Sequence, residues 1–406
     1  MGGADSTIFA RRGVATIINA AGTLTRLSSG PLAPGVLAAM QGADAAAVEI
    51  EALQAHASGV IAQATGAEAG VVTAGAAAGL MLAAAACLAG LDVARMNALP
   101  KAGRRNRIIV ARGQRNGYDH ALRAAGARLV EVGLPEPAAG AGCRDTEACD
   151  YAAAITARSA AILWVARPAA VPPLAEVVAV ARARGLPVIV DAAAELPPQS
   201  NLRAFIAAGA DLVVFSGGKA IGGPAGTGIL CGRADLVMSA ALQSLDADVA
   251  WDDWTPPPGF IDKTRLGGLP RQGIGRACKT GKAEVIGLLV ALEHFLAEGD
   301  PARHARWLAL CEAVLAGLAS SGARLCIRNR EATDRVPMLE LRLADARAAV
   351  DLARALRSRP VPVHLARDPA APGCLLVNPV ALRETEVAAL VAALVAALGG
   401  AGDERS

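Results

Sequence analysis

The stretch FSGGKAIGGPAGTG, residues 215–228, sets one lysine, Lys219, among six glycines, with Ser216 three places upstream. A lysine in such a turn suits two chemistries: cradling a nucleotide's phosphates, or forming a Schiff base with an aldehyde cofactor. The nucleotide loop G-x-x-x-x-G-K-[ST] is ruled out, because Val213 stands where its first glycine belongs and Ala220 replaces its metal-binding hydroxyl. GIGRACKTGKA fails as well: the glycine spacing to Lys282 is wrong and Ala283 follows. A Schiff-base lysine needs a desolvated place near a strand's carboxyl end, where its amine can be neutral and nucleophilic. It also needs an acid that keeps a cofactor ring nitrogen protonated. Asp191 closes the apolar, β-branched run LPVIVDAA, 28 residues before Lys219. A carboxylate there is costly to bury without a partner. A lone strand-end aspartate often only caps a helix, so the signal lies in the pair. A phosphate anchor is available in VVTAGAAAGL (71–80), where a strand passes through a turn into a helix. Backbone N–H groups of Gly75, Ala76 and Ala77 could hold an anion there. Taken alone, the same stretch reads equally well as a capped buried helix.

The elements that must position these groups are short apolar runs alternating with helical stretches. RIIVAR (107–112), ARLVEVG (127–133), AAILWVA (160–166), LPVIVDAA, ADLVVFSGG (210–218) and GTGILCGR (226–233) read as strands. Helices are expected near GYDHALRAAG and LAEVVAVARARG. The pattern predicts an α/β fold with a mainly parallel sheet covered on both faces. Too few residues separate the last two runs for a crossover helix, so that pair is expected to be antiparallel. After about residue 245 a proline-rich loop, WDDWTPPPGF, leads to the long amphipathic helix GKAEVIGLLVALEHFLAEG. The strands PMLELRL and VPVHLAR and the closing helix ETEVAALVAALVAAL then suggest a smaller α+β domain. The expected division is an N-terminal arm, 1–45, contributing to the small domain and active site, a large domain, 46–265, and a small domain, 266–406.

These pieces in this order resemble the fold-type I pyridoxal-phosphate (PLP) enzymes, with a mainly parallel, seven-stranded large-domain sheet. Within them the sequence is most similar to the selenium-transferase-like family, in the branch of bacterial D-glucosaminate-6-phosphate ammonia-lyases. The resemblance rests on INAAGTLTRLSSGPLAPGVLAAM, GAEAGVVTAGAAAGL, RNGYDHALRAAGARLVEVG, DAAAELPP, GADLVVFSGGKAIGGPAGTGIL and GIGRACKTGKAEVIGLL, spanning residues 18 to about 290. It implies Lys219 as the Schiff-base lysine, with room to swing among the glycines. It further implies Asp191 at the pyridine nitrogen, and residues Ala74, Gly75, Ala76 and Ala77 with Ser216 at the phosphate. Two departures stand out. Gln114 replaces the histidine expected to stack on the cofactor ring, and TAGAAAG offers only Thr73 as a hydroxyl. Asn19, Thr23 and Arg26 belong to a segment that lines the active site in similar enzymes. Arg276 suits a substrate carboxylate, or equally an ordinary ion pair. Tyr118 and His120 read as structural, and His56, His294, His304 and His364 as ordinary helix or surface residues.

Composition excludes several classes. Among 406 residues, 53% are hydrophobic and only eleven aromatic, which favours close, alanine-rich helix packing. Net charge is +3, giving little reason to expect a nucleic-acid or membrane partner. The basic cluster KAGRRNR (101–107) reads as a solvated loop. Eight cysteines show no metal-ligand spacing; Cys143 and Cys149 are the nearest pair. Reduced thiols and a cytoplasmic location are expected. The N-terminus has no apolar signal-peptide core, and with INAAGT entered at residue 18 the tRNA-contacting N-terminal domain expected of selenium transferases is not expected here. From Ala69 to Leu91 there is no charge, but the Ala/Gly content and absent aromatic belt favour strand, turn and buried helix over a membrane span. The expected activity is elimination of water and ammonia from a small β-hydroxy amino acid or amino-sugar acid. The alternatives are an aminotransferase, racemase or aldolase, with selenium transfer and a non-catalytic binding role disfavoured. A homodimer or higher homo-oligomer acting on a small amino-acid-like molecule is expected, because sites of this fold class are generally completed across a subunit interface.

Overall fold

The structure, a computed structural model, describes residues 8–134 and 145–403; Cys143 lies outside them. Eight strands come first: β1 (Ile18–Ala20), β2 (Ala69–Thr73), β3 (Arg107–Ala111), β4 (Arg128–Val132), β5 (Ser159–Val165), β6 (Val188–Asp191), β7 (Leu212–Ser216) and β8 (Gly228–Gly232). Four follow: β9 (Arg324–Arg328), β10 (Met338–Arg342), β11 (Val363–Arg367) and β12 (Cys374–Val377). The chain forms two compact units, residues 32–296 and residues 1–31 with 297–406.

The larger unit holds a seven-stranded sheet in the order β2-β8-β7-β6-β5-β3-β4. β3 through β7 run parallel, and β8 is antiparallel to both β7 and β2. The expected antiparallel pair is therefore present. Two successive reversals return β2 to the direction of β7, so β2, β6 and β7 all end at one edge. Each strand is apolar on both faces because both are covered. Val71, Ile108, Leu163, Ile189, Val214 and Leu230 face one core with the helix Gly75–Ala89, while Val72, Ile109, Ile162, Val190, Val213 and Ile229 face the other. The chargeless stretch at 69–91 is thus β2, a turn and a buried 15-residue helix. Among the described residues, no helix is long and apolar enough to cross a membrane.

The smaller unit's sheet runs β1-β11-β12-β10-β9, with β1 parallel to β11 and the remaining pairings antiparallel. Ile18, Val363, Leu339, Leu375 and Val377 pack beneath the helices Ala346–Arg357 and Val387–Asp403. The units meet in sequence at 31/32 and 296/297, not at the expected 45/46 and 265/266. The cause is the helical run Lys282–Gly317, broken by non-helical Gly299. Before that break, Val285, Leu288, Leu289 and Leu292 belong to the large unit's core. The proline-rich loop is clamped within the larger unit. The Lys263 Nζ donates to the carbonyls of Trp251 (2.6 Å) and Trp254 (2.7 Å) and lies 4.6 Å from the Trp251 ring centroid. The Trp254 indole donates to Glu51.

Candidate active site

Parallel sheets bind ligands beyond the carboxyl ends of their strands. At that edge of the larger unit, Asp191 is the last residue of β6, in register with Val214 of β7. Ser216 ends β7, and Lys219 follows on the loop returning to β8. Asp191 is 8% exposed, and its Oδ1 accepts the Ala193 N–H at 3.1 Å. Burial raises its carboxyl above the usual range, opposed by that N–H and by the Lys219 charge. Burial lowers the Lys219 amine, opposed by Asp191 and Glu195. Glu195 is also raised, first by burial and then by Asp191, with Lys219 opposing. A lysine with a lowered pKa thus lies within electrostatic reach of two carboxyl groups with raised ones.

Glu195 escaped the sequence reading. It sits in DAAAELPP with no periodicity or motif spacing to mark it, and only the chain's path beyond β6 returns it towards Lys219. Glycine also lets the loop pack closely on itself. A Cβ on Gly218 would approach Ala225 Cα to 2.6 Å. The Gly217 N–H donates to the Thr227 carbonyl, and the Gly223 N–H to that of Gly217, both at 2.9 Å. The glycines allow the loop that carries Lys219 to pack on itself.

The anion cradle follows β2. Gly75, at φ +85°, opens the helix Gly75–Ala89, and no side chain caps it. Ala74, Gly75 and Ala76 are half-buried and Ala77 is exposed, leaving first-turn N–H groups without intrahelical acceptors. The opening of β8 lies tight against the turn: a Cβ on Gly228 would stand 2.6 Å from the Gly75 carbonyl carbon. Thr73 turns away, being 2% exposed, and donates to the Gly75 carbonyl. Backbone donors therefore carry the turn, with the half-buried Ser216 hydroxyl at the end of the neighbouring parallel-running edge.

The other expected contacts are placed differently. Gln114 follows β3, at the point where the strand order reverses, and is 2% exposed. Its amide accepts from Val165 N–H at 2.9 Å and donates to the Val171 carbonyl at 3.2 Å. Its functional groups tie β3 to β5, which leaves little of the side chain for stacking on a ring. Arg276 meets Asp246 Oδ2 at 2.7 Å, so its guanidinium takes the ion-pair alternative. Asn19, Thr23 and Arg26 belong to the smaller unit. Asn19 is 6% exposed; it donates to the carbonyls of Gly22, Leu27 and Ser29 at 3.1 Å and accepts from Ala21. That saturation makes it the organiser of its loop, with no donor left for a ligand. Thr23 is half-buried in the same loop, and Arg26 lines a cavity there.

The profile of the family "SelA: L-seryl-tRNA selenium transferase" matches residues 50–247. A Streptomyces protein, 5'-C-glycyluridine monooxygenase-decarboxylase, is 34% identical over 317 residues, covering 75% of this chain and 69% of its own. The D-glucosaminate-6-phosphate ammonia lyase of Salmonella typhimurium is 30% identical over 399 residues, 95% of this chain and 96% of its own. The chain belongs to the SelA family. A solved structure of D-glucosaminate-6-phosphate ammonia-lyase superposes with a TM-score of 0.78 at 29% identity, covering 98% of this chain and 99% of that one. The SelA-family fold is the fold-type I architecture of PLP enzymes, as the resemblance implied. Three features suit that cofactor: an amine whose pKa burial lowers, a buried acid at a strand end, and a backbone cradle that a single Cβ at Gly228 would invade.

Proposed function

We propose that this protein is a PLP-dependent lyase that converts a small β-hydroxy amino acid or amino-sugar acid to a 2-oxo acid and ammonia. The observation that carries this reading is the half-buried Lys219 within electrostatic reach of Asp191 and Glu195, at the edge where β2 leads into an uncapped helix start. Lys219 would hold PLP covalently, Asp191 would pair with its ring nitrogen, and the N–H groups of Gly75 to Ala77 with Ser216 would hold its phosphate. When bound, PLP supplies an electron sink for the charge that develops beside the substrate amine. The lowered amine pKa of Lys219 suits it to accept the substrate's α-proton. The raised carboxyl pKa of Glu195 suits it to give a proton to the departing β-hydroxyl. The water lost with that hydroxyl is regained on hydrolysis, so the net products are the 2-oxo acid and ammonia. The two relatives' names, glucosaminate phosphate and glycyluridine, both denote sugar-derived amino acids, which supports an amino-sugar acid among the candidates.

A second reading, oxidative decarboxylation of a similar amino acid, is favoured by the Streptomyces relative. Selenium transfer is not proposed: a net charge of +3 supplies no electrostatic footprint for tRNA. The working form is proposed to be a homodimer or higher homo-oligomer.

The test begins with near-visible absorbance of the purified protein and of Lys219→Ala, before and after borohydride. A yellow band lost on reduction and absent from the variant is expected. Ammonia, 2-oxo acid and oxygen uptake are then measured with D- and L-β-hydroxy amino acids and amino-sugar acids. Ammonia and 2-oxo acid in equal amounts without oxygen uptake support the lyase. Oxygen-dependent carbon dioxide release supports the second reading. Amino transfer, racemisation or aldol cleavage would replace both. A protein that stays colourless with added PLP overturns the enzyme reading.

A further inference from the structure

In the smaller unit, three arginines and a histidine from distant parts of the chain line one cavity of about 380 Å³. Arg26 comes from the loop after β1, Arg357 from the end of the helix Ala346–Arg357, and His364 and Arg367 from β11. Leu24, Val363 and Leu365 supply apolar wall, and Ala21, Ala353 and Ala366 are small enough to leave room. No carboxylate lines it. Among the described residues, Arg26, Arg357 and Arg367 make no ion pair and no side-chain hydrogen bond. Neighbouring arginines of the same unit behave otherwise. Arg328 pairs with Glu340 and Asp368, Arg342 with Glu340, and Arg354 with Asp351.

Three exposed cations gathered around a hollow without a counter-charge give it a positive field that attracts anions. The positive environment also reaches His364. Burial, then Arg26 and Arg357, lower its imidazole pKa. No acid faces it: Asn19 stands opposite on β1, and β12 presents Leu375 and Leu376 to the end of β11. Three guanidinium forks exceed what the two oxygens of one carboxylate can accept, whereas a phosphate monoester offers three terminal oxygens and up to two charges. The apolar wall and the volume leave space for an organic portion beyond the phosphate.

We infer that this cavity is an anion site for a small phosphate monoester, whose phosphate is gripped by Arg26, Arg357 and Arg367 with His364 beside it. The inference does not depend on the lyase reading, since binding is measured without turnover. The ester is a separate effector held wholly within the smaller unit.

The experiment uses the full chain loaded with PLP, so that the cradle at Gly75 to Ala77 is filled, and labelled at histidine. With five histidines in the sequence, the His364 ring signal is assigned by His364→Gln. Inorganic phosphate and then glycerol 3-phosphate are titrated at constant ionic strength. The expected result is a saturable shift of the His364 signal, a higher His364 titration midpoint, and tighter binding of the ester than of phosphate. Arg357→Gln should weaken binding about tenfold, while Arg354→Gln, on the same helix but paired with Asp351, should leave it unchanged. Absence of a saturable shift, the same shift with chloride, or indifference to Arg357→Gln would overturn the site. If glycerol 3-phosphate competes with a phosphorylated substrate in wild type and Arg357→Gln alike, the effector reading is overturned. If it alters turnover of a non-phosphorylated one, the site is upheld as an effector site. Loss of the PLP band with binding intact would count against the lyase alone.

Discussion

Lys219 in the larger unit and the arginines around the cavity in the smaller one are all basic side chains at candidate sites, yet physics drives them in opposite directions. Lys219 lies on a packed glycine loop within electrostatic reach of two acids, and burial lowers its amine. The arginines remain charged whatever surrounds them, sit where water reaches them, and face no acid. Burial turns a cation into a nucleophile and base; exposure beside a hollow keeps it a grip for anions. The choice of residue follows, because lysine changes protonation when buried and arginine does not.

The contrast breaks most sharply at Lys219. Lys219→Ala should abolish the PLP-derived absorbance and lower turnover roughly 10³-fold or more, with unfolding by circular dichroism nearly unchanged. Retained turnover would remove the lysine from the chemistry.

Asp191→Asn should lower kcat about 10²-fold and raise the stability of the cofactor-free protein at neutral pH. The sign follows from the raised carboxyl pKa. The native state holds that proton more tightly than the unfolded chain, so the wild type loses stability as pH rises from the unfolded carboxyl pKa through the native one. The variant should lack this slope, as thermal unfolding against pH would reveal; an identical slope in both proteins would refute the assignment.

Glu195→Gln should cost about tenfold in kcat and move the pH midpoint of PLP capture downward. Glu195 favours charged Lys219, so its neutralisation lets the amine lose its proton at lower pH. A midpoint that stays or rises would separate Glu195 from the lysine.

The smallest effect is expected at Arg276. Its partly exposed pair with Asp246 is worth about 0–1 kcal/mol, so Arg276→Gln should change KM less than about threefold and lower Tm slightly. A tenfold rise in KM would return Arg276 to the substrate.

Much of the larger unit was legible in the linear text. Runs such as LPVIVDAA and ADLVVFSGG are apolar and β-branched on both faces, which only covered parallel strands require. The short link to GTGILCGR forced an antiparallel return, which β7 and β8 show. The unit boundary was less legible, because one helical run carries a large-unit face before Gly299 and a small-unit face after it. Hydrogen-bond saturation left no mark at all. Nothing in the letters around Gln114 or Asn19 shows that Val165, Val171 or Ser29 would occupy their amides.

The sequence by itself set Lys219 and Asp191 at one sheet edge, because each is placed by its own strand and both strands end there. It offered a strand, turn and helix after β2 but left open whether a side chain caps that helix, and the structure shows that none does. Only the tertiary structure decided that Glu195 returns to the lysine, that Arg276 is matched by Asp246, and that residues 26, 357, 364 and 367 share one cavity. Strand ends and turns follow from near neighbours along the chain. Desolvation, charge balance and spare hydrogen-bonding capacity depend on neighbours in space, which only the fold assigns.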